Sequence, residues 1–277
     1  MCLALFPGKI PTLLEEATEM RKTALLLIAA VVSFAIIGCG GEEPVAPTGY
    51  APNQSVEAYA YVHGGYIGKA EASTDAEGAL SVNVNEAFFP HHLAIVDIES
   101  EEWNEDNTVT YVIRGDTVYV ARYVAYNGTN YVGNTVGSAL VYVEADEEGN
   151  PAGNSPLEKM ILRNEANMET WWNSIADGGF AIFSEFGGEA MPITTTSYGS
   201  LYKEGSSYWD FGIGWQGNID AIEEAAVQYG VGYSLDEMTR GDDNMWSLAD
   251  ATTGATASDF KDYFSLIQLA TARLEMQ

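Results

Sequence analysis

Near the end of the chain the residues Asp250-Ala251-Thr252-Thr253-Gly254-Ala255-Thr256-Ala257-Ser258, followed by Asp259, combine hydroxyls, very small side chains and flanking acids. Thr256 with an acid three positions later has the spacing of a capping box, in which the hydroxyl accepts from a helix N–H and the carboxylate reaches back. Gly254 and Ala255 carry so little side chain that the backbone before the cap is open to close approach by a ligand. A helix start also presents unpaired N–H groups and the positive end of the dipole, which suit a phosphate without a lysine. On residue types alone the segment is either a plain helix cap or an anion site.

The elements that must position it are legible from periodicity. Ala257 to Glu275 predicts an amphipathic helix, with Phe260, Phe264, Ile267 and Leu274 on one face. Gln216 to Tyr229 predicts a second helix. Leu157 to Ile175 predicts another, carrying Leu157, Met160, Ile161, Met168, Trp171, Trp172 and Ile175. Upstream the pattern has period two: Ser55–Val62, Tyr66–Thr74 and Ala79–Ala87 read as an antiparallel meander with turns at His63-Gly64-Gly65 and Asp75–Gly78. Thr108–Ile113, Thr117–Tyr126 and Ser138–Glu144 read as further strands, turning at Arg114-Gly115-Asp116 and Asn127-Gly128. Asp146–Pro156 reads as a polar connection. The expected fold is α+β, an antiparallel β-sheet meander with packed helices and a C-terminal helix after the motif. Residues 55–145 form the β-rich region and 146–277 an α+β region with the motif at 250–258, as two small domains or as one domain over 55–277.

The pattern Asp250-x-x-Thr253-Gly254-Ala255-Thr256-x-Ser258 resembles the flavinylation motif of the FMN-binding domain family. That family includes the C subunit of the sodium-translocating NADH:quinone oxidoreductase, the Rnf G subunit and flavin-bearing bacterial lipoproteins. The resemblance implies covalent FMN, joined by a phosphoester to Thr256. It implies Asp250 as the acid that an exported FMN transferase recognises, and Thr253-Gly254-Ala255, with Ser258, as the small run admitting the phosphate. The transferase would use FAD and Mg²⁺. Gly65–Ala70 through Asp75-x-x-Gly78 to Val84, and Asn218 to Met238, resemble the family's early strand–turn–strand and its helix before the motif. The stretch from about Ala87 to Ser200 departs from the pattern, so the resemblance covers about half of the exported chain.

Composition excludes several classes. Forty Asp and Glu against 12 Lys and Arg give a net charge of −28, so nucleic acid is not a partner. The hydrophobic content of 47% is too high for a charge-driven disordered chain. Two cysteines, Cys2 and Cys39, exclude a disulfide framework, a Cys-rich zinc site and an iron–sulfur cluster. Arg21 and Lys22 precede an apolar run, Ala24–Ile37, whose 14 residues suit a signal-peptide core rather than a spanning helix. Ile36-Ile37-Gly38-Cys39 resembles the bacterial lipobox, which makes Cys39 the acylated first residue of the mature protein. Residues 1–38 are then the signal peptide, of which 1–19 precede the basic pair and need not be translated, and 39–54 a lipidated tether. The expected location is the cell envelope, anchored in lipid outside the cytoplasm.

The expected function is electron transfer at the envelope between redox donor and acceptor partners, as a carrier rather than a complete enzyme. The rival expectation is a ligand- or protein-binding envelope lipoprotein with no flavin. No Gly-x-Ser-x-Gly elbow, Gly-x-Gly-x-x-Gly or Walker loop occurs. His91-His92 beside Phe88-Phe89-Pro90 read as a loop or core edge rather than a metal pair, since adjacent histidines in a strand would point to opposite faces. Asp242-Asp243-Asn244 and Glu99–Asp106 lack calcium-loop spacing and read as solvated surface. Tyr208, Trp209, Trp215 and Trp246 read first as core, with stacking on a flavin ring as the alternative.

Overall fold

The computed structural model describes residues 49–137 and 139–276. The signal peptide, Cys39 and the first part of the tether lie outside the described residues. All strand pairings among the described residues are antiparallel, in four separate sheets joined by a few helices.

The sheet that carries the site is built from β1 (Ser55–Val62), β2 (Tyr66–Thr74) and β3 (Leu80–Ala87). Alternation along these strands puts Ala58, Ala70, Ala72 and Val84 on a buried face. The β2–β3 turn is closed by Asp75, whose Oδ1 accepts from Glu77 N–H (2.9 Å) and Ala79 N–H (2.8 Å). The last helix, α5 (Phe260–Thr271), lies on β1 and β2 and buries Phe260, Tyr263, Phe264, Leu266 and Ile267. Gly68 on β2 permits this contact, since a Cβ there would meet Leu266 Cδ2 at 2.7 Å and Val62 Cγ1 at 2.8 Å. The helix α4 (Gly214–Tyr229) packs on β3 and on α5 through the stripe Trp215, Asn218, Ile219, Ile222, Ala225 and Ala226.

Beyond β3 come a helical turn, α1 (Pro90–Leu93), and a three-stranded sheet in the order β4 (Ile95–Val96), β6 (Asp116–Ala121), β5 (Thr108–Ile113). The six-stranded sheet runs β10 (Pro151–Pro156), β9 (Ala139–Ala145), β8 (Thr129–Val136), β7 (Tyr123–Tyr126), β11 (Phe180–Phe183), β12 (Met191–Pro192). Two of its neighbours, α2 (Leu157–Ile161) and α3 (Glu165–Ala176), pack on β9 and on β1 respectively. A third small sheet, β13 (Met238–Arg240), β14 (Trp246–Leu248) and β15 (Ala251–Thr252), leads into the motif. Arg114-Gly115 (φ 54° and 91°) and Asn127-Gly128 (φ 47° and 81°) make two-residue hairpin turns, whose positive φ values match the strand twist.

Several elements differ from the sequence reading. The run Thr117–Tyr126 is two strands in different sheets, parted at Arg122, whose N–H is drawn to Asn107 O (2.9 Å) and whose O accepts from Gly133 N–H (2.7 Å). The helix expected over Leu157–Ile175 is interrupted because Asn164 caps a new one, its side chain accepting from Asn167 N–H at 2.9 Å. Part of the polar connection is the edge strand β10, where missing proline donors are tolerated. The end of the expected tether is docked: Tyr50 is buried, Ala51 N–H donates to Glu275 O (2.8 Å) and Gln54 N–H to Thr74 Oγ1 (2.9 Å). The terminal helix begins at Phe260 rather than Ala257. Among the described residues no helix is long and apolar enough to cross a membrane.

Candidate functional site

The motif is a loop pinned from three sides. Ala249 and Asp250 form the two-residue turn between β14 and β15, which leaves Asp250 exposed. Thr253 then folds the chain back onto β14: its N–H (2.8 Å) and its hydroxyl (2.9 Å) both donate to Trp246 O, and its Oγ1 accepts from Ala255 N–H (3.2 Å). Gly254 takes φ +81°, a left-handed conformation that favours glycine, while the space for a Cβ is open apart from Ala221 Cβ at 3.9 Å. Glycine suits this position through its backbone angle, and the space beside it is open. Trp246 completes the frame, accepting Thr253, donating N–H to Ala255 O (2.9 Å) and indole N–H to Ala257 O (2.7 Å).

Thr256 is held by a residue of another helix. Buried Asn218 on α4 accepts through Oδ1 from Thr256 N–H (2.7 Å), Ala257 N–H (2.8 Å) and the Thr256 hydroxyl (3.2 Å). Its own amide N–H₂ is anchored on Gly214 O at 2.7 Å, which fixes which way the side chain points. Arg240 Nη2 donates to Thr256 O at 2.7 Å. The capping box expected between Thr256 and Asp259 is therefore absent. The amides that would start the helix at Ala257 are taken by Asn218, and Asp259 occupies the cap position without a side-chain bond to the backbone. The hydroxyl of exposed Ser258 donates to Asp259 Oδ2 (3.0 Å).

From Asp259 a polar chain runs into the protein beside a cleft of about 440 Å³. Asp259 Oδ2 lies 3.1 Å from His63 Nδ1, His63 Nε2 lies 2.7 Å from the Tyr263 hydroxyl and 3.5 Å from Glu86 Oε1. Glu86 is wholly buried on β3 and pairs with Lys203 Nζ, itself 2% exposed. Among the described residues neither Glu86 oxygen has an aligned hydrogen-bond donor, so its compensation is ionic. A buried ion pair costs desolvation that its attraction only partly offsets. Burial pulls the Lys203 ammonium below its ordinary pKa, opposed by the Glu86 charge.

Aromatic rings wall the cleft. Lys203 Nζ sits 3.7 Å from the Tyr66 ring centroid, and Tyr66 donates to the Tyr208 hydroxyl. His92 Nε2 is 3.3 Å from the Tyr66 oxygen, and His92 Nδ1 is buried without a partner. His91 and His92 lie in the helical turn α1, with ring centroids 4.3 Å apart, and both line the cleft. Burial pushes His91 down to about 4 and His92 well below its usual value, the latter with help from His91 and Lys203. Both are neutral at pH 7. Tyr208 and Trp209 also line the cleft, whereas Trp215 and Trp246 are core.

Of the residues singled out in the sequence, the structure gathers Thr253, Gly254, Ala255 and Thr256 in one loop and sets Ser258 at the cleft, while Asp250 stands apart at the exposed turn. Asn218, Glu86 and Lys203 were missed as site residues. The signal for the first two was a polar residue at a position that periodicity assigns to the core. Asp242-Asp243-Asn244 is the tip of the β13–β14 hairpin, and among the described residues no three His, Cys, Asp or Glu side chains gather to hold a metal. Comparison of the chain with family models, with curated proteins and with solved structures returns no match in any of the three.

Proposed function

We propose that the protein is an exported lipoprotein that carries FMN on Thr256 and transfers electrons at the cell envelope, tethered through acylated Cys39. The observation that supports this most is the disposition of the motif. Thr256 is half-buried on a loop that Asn218, Trp246 and Arg240 hold rigid, and Ser258 and Asp259 just after it line an aromatic-walled cleft. The residues fit the group: a hydroxyl on a fixed backbone, a small run before it, and aromatic rings in the cleft bordered by the next residues, Ser258 and Asp259. Bound FMN supplies one- or two-electron transfer, which no side chain here provides. The chain's own part is to orient. Asn218 and Arg240 set the loop, exposed Asp250 is available to an exported FMN transferase, and Tyr208, Trp209 and Lys203 line the cleft that Ser258 and Asp259 border. The stretches that carry the resemblance, Gly65–Val84 and Asn218–Met238, fall on β2 and β3 and on α4 with the segment after it.

The cleft also favours a second reading, a ligand-binding envelope lipoprotein with no flavin. Co-expression of the full chain with an exported FMN transferase separates the two. Attachment transfers the FMN half of FAD to the Thr256 hydroxyl with release of AMP, so the intact mass rises by one FMN less one water and the denatured protein keeps flavin absorbance. Both are lost in Thr256→Val. An unmodified mass, with a control substrate flavinylated in the same cells, rejects the flavin reading.

A further inference from the structure

Two charges of opposite sign stand open on the cleft that Ser258 and Asp259 border. Arg114 lines it from the tip of the β5–β6 hairpin, and among the described residues it has no acidic partner. Its guanidinium is held from one side only: Nη1 donates to Tyr208 O (2.6 Å), and the group lies 5.1 Å from the Tyr208 ring centroid and 5.7 Å from that of Phe211. The turn does not account for an arginine, since φ 54° in a two-residue turn is ordinarily taken by Asn, Asp or Gly. Asp259 is the opposite charge. Its Oδ2 meets the Ser258 hydroxyl (3.0 Å) and His63 Nδ1 (3.1 Å), and among the described residues its Oδ1 has no partner. The other ionised groups of the lining cancel: Lys203 is matched by Glu86 behind it, and burial holds His91 and His92 neutral.

The spacing of the open charges sets the ligand's length. From Asp259 a row of rings, His63, Tyr66 and Tyr208, leads to Arg114, with centroids 5.7 Å apart at each step. An α-amino acid carries its ammonium and carboxylate on one carbon, whereas three linked residues separate them by about 10 Å, the scale of that row. The volume, about 440 Å³, is that of a small-molecule site. A chain of net charge −28 repels a free anion, but not a ligand that carries one charge of each sign. Between its ends a peptide offers N–H and C=O groups, and His92 on the lining, 2% exposed, keeps Nδ1 buried without a partner. Trp209 and Tyr111 present apolar faces to a side chain.

We propose that this cleft binds a short peptide with free ends, its terminal carboxylate on Arg114 and its terminal ammonium on Asp259. This ligand belongs to the reading of the cleft as a binding site without flavin, so flavin attachment, followed by mass, and peptide binding, followed by calorimetry, fail separately.

The tripeptide Ala-Phe-Ala with both ends free is the probe. Isothermal titration calorimetry against the full-length chain made without a transferase should show one saturable site. Acetylating the amino end or amidating the carboxyl end should each weaken binding about tenfold, the worth of one charge-assisted contact. Free phenylalanine, unable to engage both charges, should bind more weakly than the tripeptide by a similar factor. Arg114→Gln should abolish the discrimination against the amidated peptide and keep that against the acetylated one; Asp259→Asn should do the reverse, both with unchanged circular dichroism spectra. These paired losses separate contact with the ligand from a general weakening of the fold. Absence of saturable binding, equal binding of the blocked peptides or of phenylalanine, or discrimination that survives in both variants would overturn the proposal.

Discussion

Replacing Asn218 by Ala tests whether the motif loop is held from helix α4. The side chain is 2% exposed and its Oδ1 is the acceptor for two backbone amides and one hydroxyl. Alanine leaves the Thr256 and Ala257 N–H groups without an acceptor, and an unsatisfied buried donor costs about 1–3 kcal/mol. Partial access of water to Thr256 relieves part of this, so the expected loss is about 2–4 kcal/mol. Thr256→Val removes only the 3.2 Å hydroxyl bond and should cost about 0.5–1.5 kcal/mol. The double variant should be no less stable than Asn218→Ala alone, because the partner of the hydroxyl is already gone. Urea unfolding of the full chain, followed by far-UV circular dichroism, measures all three. If Asn218→Ala costs no more than Thr256→Val, or if the two effects simply add, Asn218 does not organise the loop in the way its hydrogen bonds indicate.

Three further outcomes follow from the same structure. Lys203→Met strands Glu86 as an unpaired buried carboxylate and should cost about 3–5 kcal/mol, whereas Lys203→Met combined with Glu86→Gln should recover more than half of that in thermal unfolding. An equal loss in the single and double variants contradicts the pairing. Burial raises Glu158 and Glu223 from 4.5 to about 7, so the fold holds protons there that the unfolded chain releases. Their contribution is complete below pH 4.5 and is lost as pH rises through 7. Unfolding free energy should therefore fall from pH 5 to pH 8, and Glu158→Gln with Glu223→Gln should flatten that slope; an unchanged slope refutes the assignment. Gly254→Ala meets no neighbour closer than 3.9 Å, so its cost should be the left-handed backbone penalty alone, about 1–2 kcal/mol, while Gly68→Ala, facing Leu266 and Val62 below 3 Å, should cost more.

How legible each part was depends on where its partners lie. The runs at Ser55, Tyr66 and Leu80 alternate because one face is buried, and β1, β2 and β3 lie there. The break at Arg122 has no local signal: the alternation continues through it, and only the partners of its backbone, Asn107 and Gly133, turn one run into strands of two sheets. The strand β10 was hidden for the opposite reason, since Pro, Gly, Asn and Ser compose a loop anywhere but at a sheet edge. The start of α3 was readable, because Asn164 three residues before Asn167 is an N-cap pattern that the hydrophobic spacing of Leu157–Ile175 obscured.

The site itself divides the same way. The motif residues attract notice by their types, but spacing alone suggested that Thr256 caps its own helix, and it does not, because a better acceptor arrives from α4. That acceptor was marked in the sequence. Trp215, Ile219, Ile222 and Ala226 form the buried stripe of α4, and Asn218 interrupts it, at a position where an amide is tolerated only if its hydrogen bonds are met inside. Glu86 follows Val82 and Val84 on the inward side of β3, where a carboxylate demands a buried cation. Lys203, which answers that demand, carries no periodicity of its own, so only the fold could supply it. A polar residue at a core position thus states that a partner exists and of what chemistry, and leaves its identity to tertiary structure. Asn218 thus holds the loop of Thr256, and Glu86 holds Lys203 at the cleft that Ser258 and Asp259 line.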